Sequence, residues 1–234
     1  MAGWLQSFTW QLGDAARALG LLARAEDDAT RAGRSALVRC ARGFQSLLHS
    51  FGLRDPDTGE RMCREVLTEA SPDSYDRLVA ITSLLVPLYL RGDWTGAVEI
   101  HDLWAGVLER AGSDHSLNQL VERAVLGVEL GHDAISRYRA AYEANQADGT
   151  PTTRAEHLLV PLSRAVRAGD WNRAARIIAT IRALSRRGIE LGGPGMVAIY
   201  LYYRERLQSH DVDISTSEPY QPEQIIQTEL NRAG

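Results

Sequence analysis

Histidine followed by aspartate occurs three times in this chain, at His101-Asp102, His132-Asp133 and His210-Asp211. Imidazoles and carboxylates converging on one or two divalent metals would turn a bound water into a nucleophile near neutral pH. His101, His132, Asp133 and Asp170 are the set that best fits such a centre, although Asp133 and Asp170 also stand where turns need polar caps. Asp55-Pro56-Asp57-Thr58-Gly59-Glu60 is rich in oxygen donors, but it lacks the ligand spacing and downstream glutamate of a calcium loop. Asp57, three residues ahead of Glu60, reads instead as a capping pair opening a short helix over 58–70. Trp94, Trp104 and Trp171, beside Arg164, Arg167 and Arg173, are the residues that would stack on bases and hold phosphates. The sequence carries no HExxH pair, Gly-rich phosphate loop, nucleophile elbow or Cys-x-x-Cys. No catalytic residue, cofactor or metal ligand is therefore assigned.

The composition supports a helical, non-membrane reading. Apolar residues make up 44% of the 234 positions and charged ones 24%, ordinary for a globular chain long enough to bury a core. No basic region leads into an apolar run at the start, and no stretch approaches a membrane span, so neither a signal peptide nor a transmembrane helix is expected. Cys40 and Cys63 fall on different predicted helices and read as a reduced, buried pair in a cytoplasmic protein. All 26 cations are arginine and none is lysine. A GC-rich coding bias and selection against a modifiable amine are the two readings of that absence. Residues 151–190 hold eight arginines against three acids, whereas 211–234 hold five acids against Arg232. A solvated arginine face shielded by the acidic tail is preferred to a nucleic-acid patch, because the chain as a whole is acidic.

The elements that would position these residues are helices. Apolar residues at helical spacing predict helices over 3–31, where Trp4, Phe8 and Leu12 share a face, and over 34–51. Ser71-Pro72 and Thr150-Pro151 each pair a capping hydroxyl with proline, predicting helix starts there. Further helices are expected over 72–91, 94–111, 113–130, 132–145, 151–168, 171–187 and 196–208. Pro87 and Pro161 should kink two of them. The β-branched content of 78–90 leaves a strand as the alternative there. Beyond His210 a polar, acidic linker leads to an amphipathic helix over 223–232, with Ile225, Ile226 and Leu230 on one side. Three glycine turns, at Gly92, Gly131 and Gly169, lie 39 and 38 residues apart and define a helical-hairpin repeat.

Gly92-Asp93-Trp94-Thr95-Gly96-Ala97 and Gly169-Asp170-Trp171-Asn172-Arg173-Ala174 resemble the inter-helix turn of tetratricopeptide repeats (TPR), over residues 73–190. The resemblance departs from the family in its longer period, in Leu85 and Leu162 at the usual glycine of the first helix, and in Asp133 at the aromatic position. It implies an all-α, right-handed α-solenoid of about ten or eleven helices. The expected organisation is an N-terminal helical cap over 1–70, a helical-repeat domain over 71–209, and an acidic C-terminal tail over 210–234.

In such repeats the first helices line a concave groove that holds a peptide or helix. Counting back from each turn glycine places Val79, Thr82, Val86 and Tyr89 in that groove. Asn118, Val121, Val125 and Val128 follow from the second hairpin, and Glu156, Leu159, Ser163 and Val166 from the third. The alternative reading of these residues is inter-repeat core. An apolar groove needs a cover: a partner helix, a second copy in a homo-oligomer, or the tail helix. The expected function is a non-catalytic adaptor or regulatory module binding a protein or peptide partner, with no membrane and no nucleic acid. The alternatives are a metal-dependent enzyme resembling HD-type phosphohydrolases, or a nucleic-acid-acting helical-repeat protein similar to repeat-built DNA glycosylases.

Overall fold

The computed structural model describes residues 15–110, 117–132, 135–148, 153–189 and 191–231. These residues are helical, with no strand among them, so 78–90 belongs to a helix. The Trp4–Phe8–Leu12 stripe, the Thr150-Pro151 helix start and Asp133 lie outside the described residues, as does the side chain of Asn118. No described helix is long and apolar enough to cross a membrane. The chain divides into two compact units, one formed by residues 1–114 with 193–198, the other by 115–192 with 199–234.

The first unit contains α1 (Ala15–Arg31), α2 (Ser35–Gly52), α3 (Pro56–Glu69), α4 (Tyr75–Arg91) and α5 (Trp94–Arg110). α2 packs against α1, α3 and α4, and α4 continues the stack to α5. Two glycines make the approach close. A Cβ at Gly43 would sit 2.7 Å from Val79, and one at Gly59 would sit 2.8 Å from the Ser46 carbonyl. The core is aliphatic, with Leu48, Val66, Ile81, Leu84, Leu85 and Leu88 buried. Cys40 on α2 and Cys63 on α3 are free thiols. The Cys63 thiol is pushed up to about 12 by burial, which keeps it protonated and unreactive.

Two helix starts differ from the expectation. α3 begins at Pro56, not at 58, because Asp55 rather than Asp57 caps it, accepting from the Thr58 amide at 3.1 Å. Asp57 and Glu60 are instead drawn to Arg91 of α4. Residues 71–74 form a turn closed by the Ser74 amide on the Ser71 carbonyl, so Ser71-Pro72 precedes α4 by a turn instead of opening it.

The second unit contains α6 (Leu117–Leu130), α7 (Ile135–Asp148), α8 (Thr153–His157), α9 (Leu159–Arg167), α10 (Trp171–Arg186) and α12 (Pro222–Asn231); α11 (Pro194–Gln208) contributes residues to both units. α9 packs on both α6 and α10. The helix expected over 151–168 is broken at Leu158. Pro161 has no amide to bond the His157 carbonyl, and the Tyr138 hydroxyl of α7 donates to that carbonyl instead, at 3.1 Å. α4, by contrast, runs on through Pro87.

The three repeat turns share one hydrogen-bond pattern. At Gly92 (φ +70°) the amide donates to Tyr89 and the next amide, of Asp93, donates to Leu88; Gly131 and Gly169 repeat it. This is the pair of hydrogen bonds that closes a helix on a left-handed residue, and glycine takes that conformation without a Cβ penalty. Asp93 and Asp170 then cap the following helices, accepting from the Gly96 and Arg173 amides.

Candidate functional site

In the second unit the arginine-rich segment and the acidic tail meet. α12 begins at Pro222, a favoured first helical position, and packs against α7, α8 and α9. Ile225, Ile226 and Glu229, at i, i+1 and i+4, share one helix face, and all three are buried. The sequence placed Leu230 on that face. Leu230 is only half-buried, and Glu229 takes the fully buried place.

A carboxylate at 0% exposure needs cationic partners, because desolvation of an isolated charge is prohibitive. Glu229 has two. Its Oε1 accepts from Arg164 of α9 at 2.8 Å and its Oε2 from Arg173 of α10 at 3.2 Å. The two guanidinia are partly exposed, 28% and 18%, so they keep some contact with water while gripping the acid. Arg139 of α7 donates to the Leu230 carbonyl at 3.3 Å.

The strap before α12 follows α10. His210 stacks on Trp171 with ring centroids 4.0 Å apart. Arg176 donates to the Glu218 carbonyl at 3.2 Å and lies 3.7 Å over the Tyr220 ring, a cation–π contact. The Tyr220 amide donates to the Thr180 hydroxyl at 2.8 Å.

No family model, curated protein or solved structure matches the chain. What the site can do is therefore read from its own residues.

The residues assigned to a groove fall into both units and are described separately. In the first unit, Val79, Val86 and Tyr89 of α4 are buried and Thr82 is half-buried. In the second, Val121, Val125 and Val128 of α6 are buried; so are Glu156 of α8 and Leu159 and Ser163 of α9, while Val166 is half-buried. The side chains of this chain itself enclose most of them. The elements carrying the third set, α8 and α9, are among those against which α12 packs.

Several of these residues serve buried polar networks. Ser163 and the Tyr203 hydroxyl both donate to Oε1 of Glu129, each at 2.6 Å. Burial and the Glu129 charge push the Tyr203 phenol well above its ordinary range. Glu156 is pushed up to about 7 by burial and by the Glu122 charge, against the opposing pull of the Gly192 amide. Its neighbour His157 is pushed down to about 4 by burial.

Two of the residues considered for chemistry, His101 and Asp170, have structural roles. His101 is buried, its Nε2 2.7 Å from the Tyr89 hydroxyl and its ring 5.5 Å from that of Trp104. His132 is exposed and Asp170 caps α10. Among the described residues no group of three or more His, Cys, Asp or Glu side chains is placed to hold a metal. Trp94 is buried with its ring 5.8 Å from that of Tyr89. A surface depression in the first unit is lined by Arg61, Arg64 and Arg91 with Asp57, Glu60 and Glu65, so its cations are matched by its own acids.

The residue that sequence reasoning missed is Glu229. Its signal was present: an acid one turn after Ile225 on the apolar side of a tail helix, in a chain with an arginine-rich segment elsewhere.

Proposed function

We propose that this chain is a non-catalytic adaptor or regulatory module that holds a helix of a partner protein on the second unit. The observation that carries the reading is the docking of α12. An amphipathic helix already lies against α7, α8 and α9, with two isoleucines buried and a glutamate held by two arginines. Burying the two isoleucine side chains contributes roughly 1.5–3 kcal/mol each, enough to seat a short helix and small enough to let it leave. The identical closure of the three glycine turns, and the packing of α6 on α9 between successive hairpins, support a TPR-like right-handed solenoid as the scaffold. In that arrangement α8 and α9 together form the first helix of the third hairpin, the position where such scaffolds present ligands.

The test keeps the whole chain. A protease site inserted after the exposed Thr216 lets the tail be cut while every residue remains in the tube. The fragment holding α12 should stay associated, and a labelled peptide of residues 213–231 should replace it in a saturable way. Immediate loss of the fragment with no saturable peptide binding would contradict a helix-holding function.

A further inference from the structure

We propose that the second unit selects its partner by a buried glutamate, and that the partner is an acidic amphipathic helix of another protein carrying the pattern aliphatic-aliphatic-x-x-Glu. The chain's own α12, with Ile225, Ile226 and Glu229, is then the resident competitor for that site. This inference rests on the helix-holding function above and names the chemistry of the ligand.

Three observations converge on it. The charge match is local and strong: residues 151–190 carry eight arginines against three acids, and Arg164, Arg173 and Arg176 from that segment all contact the tail. The recognition is geometric as well as electrostatic. Arg164 comes from α9 and Arg173 from the first turn of α10, so the two guanidinia meet one carboxylate from different helices, each oxygen taking its own donor. Arg173 is itself set in place by the Asp170 cap at the Gly169 turn, which ties the repeat motif to the clamp.

The third observation concerns the tether. Asp213, Ser215, Thr216, Glu218, Pro219 and Gln221 are exposed, so the apolar burial the strap gives up when it lifts is confined to buried Ile214 and to half-buried Val212 and Tyr220. A neutral or basic helix would leave Arg164 and Arg173 without the carboxylate and partly desolvated, which is a penalty rather than a missing bonus. A rival acidic helix satisfies both arginines and needs only to overcome the local concentration of the tethered tail.

The cut full chain distinguishes this inference from the functional reading on which it rests. Labelled 213–231 peptide and its Glu229→Ala and Glu229→Gln forms are titrated onto it, followed by an unrelated acidic helical peptide with and without the Ile-Ile-x-x-Glu pattern. Roughly tenfold or greater weakening is expected for Glu229→Ala, with competition only from the patterned peptide. Failure of every peptide to bind would sink the helix-holding function itself. Equal binding of the parent and Glu229→Ala peptides would leave that function standing and overturn the selection by glutamate. Tail exchange between intact copies, seen as a doubled mass that added patterned peptide does not reverse, would make a second copy the occupant and overturn the external partner. Should the cut protein unfold, Glu229→Ala in the intact chain gives a second reading. Amide exchange at 225–229 should accelerate by roughly tenfold or more while α10 stays protected, and unchanged exchange there would also overturn the inference.

Discussion

The two Gly-Asp-Trp turns begin with the same residues and end in different surroundings. At Gly92-Asp93-Trp94 the aromatic turns inward, where Trp94 packs on Tyr89 and Tyr89 bonds the buried His101. At Gly169-Asp170-Trp171 the backbone closes in the same way, but Trp171 remains partly exposed and stacks on His210, where the chain sets out toward α12. Buried charge follows the same division. In the first unit Asp76 of α4 is paired with Arg39 of α2; although burial opposes it, the Ser74 hydroxyl and that guanidinium hold the carboxyl below its ordinary range. In the second unit Glu156 faces the Glu122 charge and is pushed up to about 7, and Arg164 of α9 and Arg173 of α10 are paired with the tail glutamate Glu229. The first unit pairs its buried carboxylate, Asp76, with an arginine of its own helices. The second pairs part of its cationic surface with the acidic tail.

Substitutions should separate the units along this line. The largest effect is expected at Trp94, where truncation to Ala empties a core position and should cost about 3–5 kcal/mol in denaturant unfolding. A loss below about 1 kcal/mol would mean that the first turn is no better packed than the second.

Next comes Glu156. Folded, it keeps its proton up to about 7, whereas an unfolded glutamate releases it near 4.3. Between those values the folded state binds the extra proton, so this residue's contribution to stability falls as pH rises. His157 acts oppositely: pushed down to about 4 when folded, it makes stability rise between there and its unfolded value near 6.5. Glu156→Gln should therefore stabilise the protein at pH 8 by roughly 2–4 kcal/mol and leave the His157 rise standing alone in urea titrations at several pH values. No gain at pH 8 would show that Glu156 is ionised and paired.

Gly59→Ala should cost about 1–3 kcal/mol, because the added carbon meets the Ser46 carbonyl, a backbone atom that cannot swing aside. Gly169→Ala has open space around it and is penalised only for its left-handed backbone, about 1–2 kcal/mol in thermal unfolding. The smallest effect is expected for Trp171→Ala, about 0.5–1.5 kcal/mol, and it should appear as faster amide exchange in residues 211–221. A loss as large as that at Trp94 would erase the contrast between the turns.

The all-helical class and the turns were legible because both are local. Helical spacing of apolar residues, and a glycine followed by a capping aspartate, act within one or two turns of chain. The break at Leu158 was not legible to the same degree. Pro161 signals a missing amide, but whether the helix kinks or stops depends on Tyr138, 19 residues away in sequence, reaching the His157 carbonyl. The groove positions show a second limit. Valines at helical spacing mark a face that will be buried without saying by what, and Val86, Val121 and Val125 are enclosed by the chain itself. Glu229 shows a third. A glutamate on an apolar helix face reads as a boundary residue until Arg164 and Arg173, more than fifty positions earlier, are brought beside it.

The central claim is that α12 behaves as a bound ligand of the second unit rather than as part of its core. Native-state hydrogen exchange on the intact chain, across a series of low denaturant concentrations, tests this directly. The account predicts that the amides of residues 225–229 exchange through a local opening, with little denaturant dependence, while those of α9 and α10 await global unfolding. If residues 225–229 exchange only together with α9 and α10, α12 is a core element and the second unit has no helix site to offer.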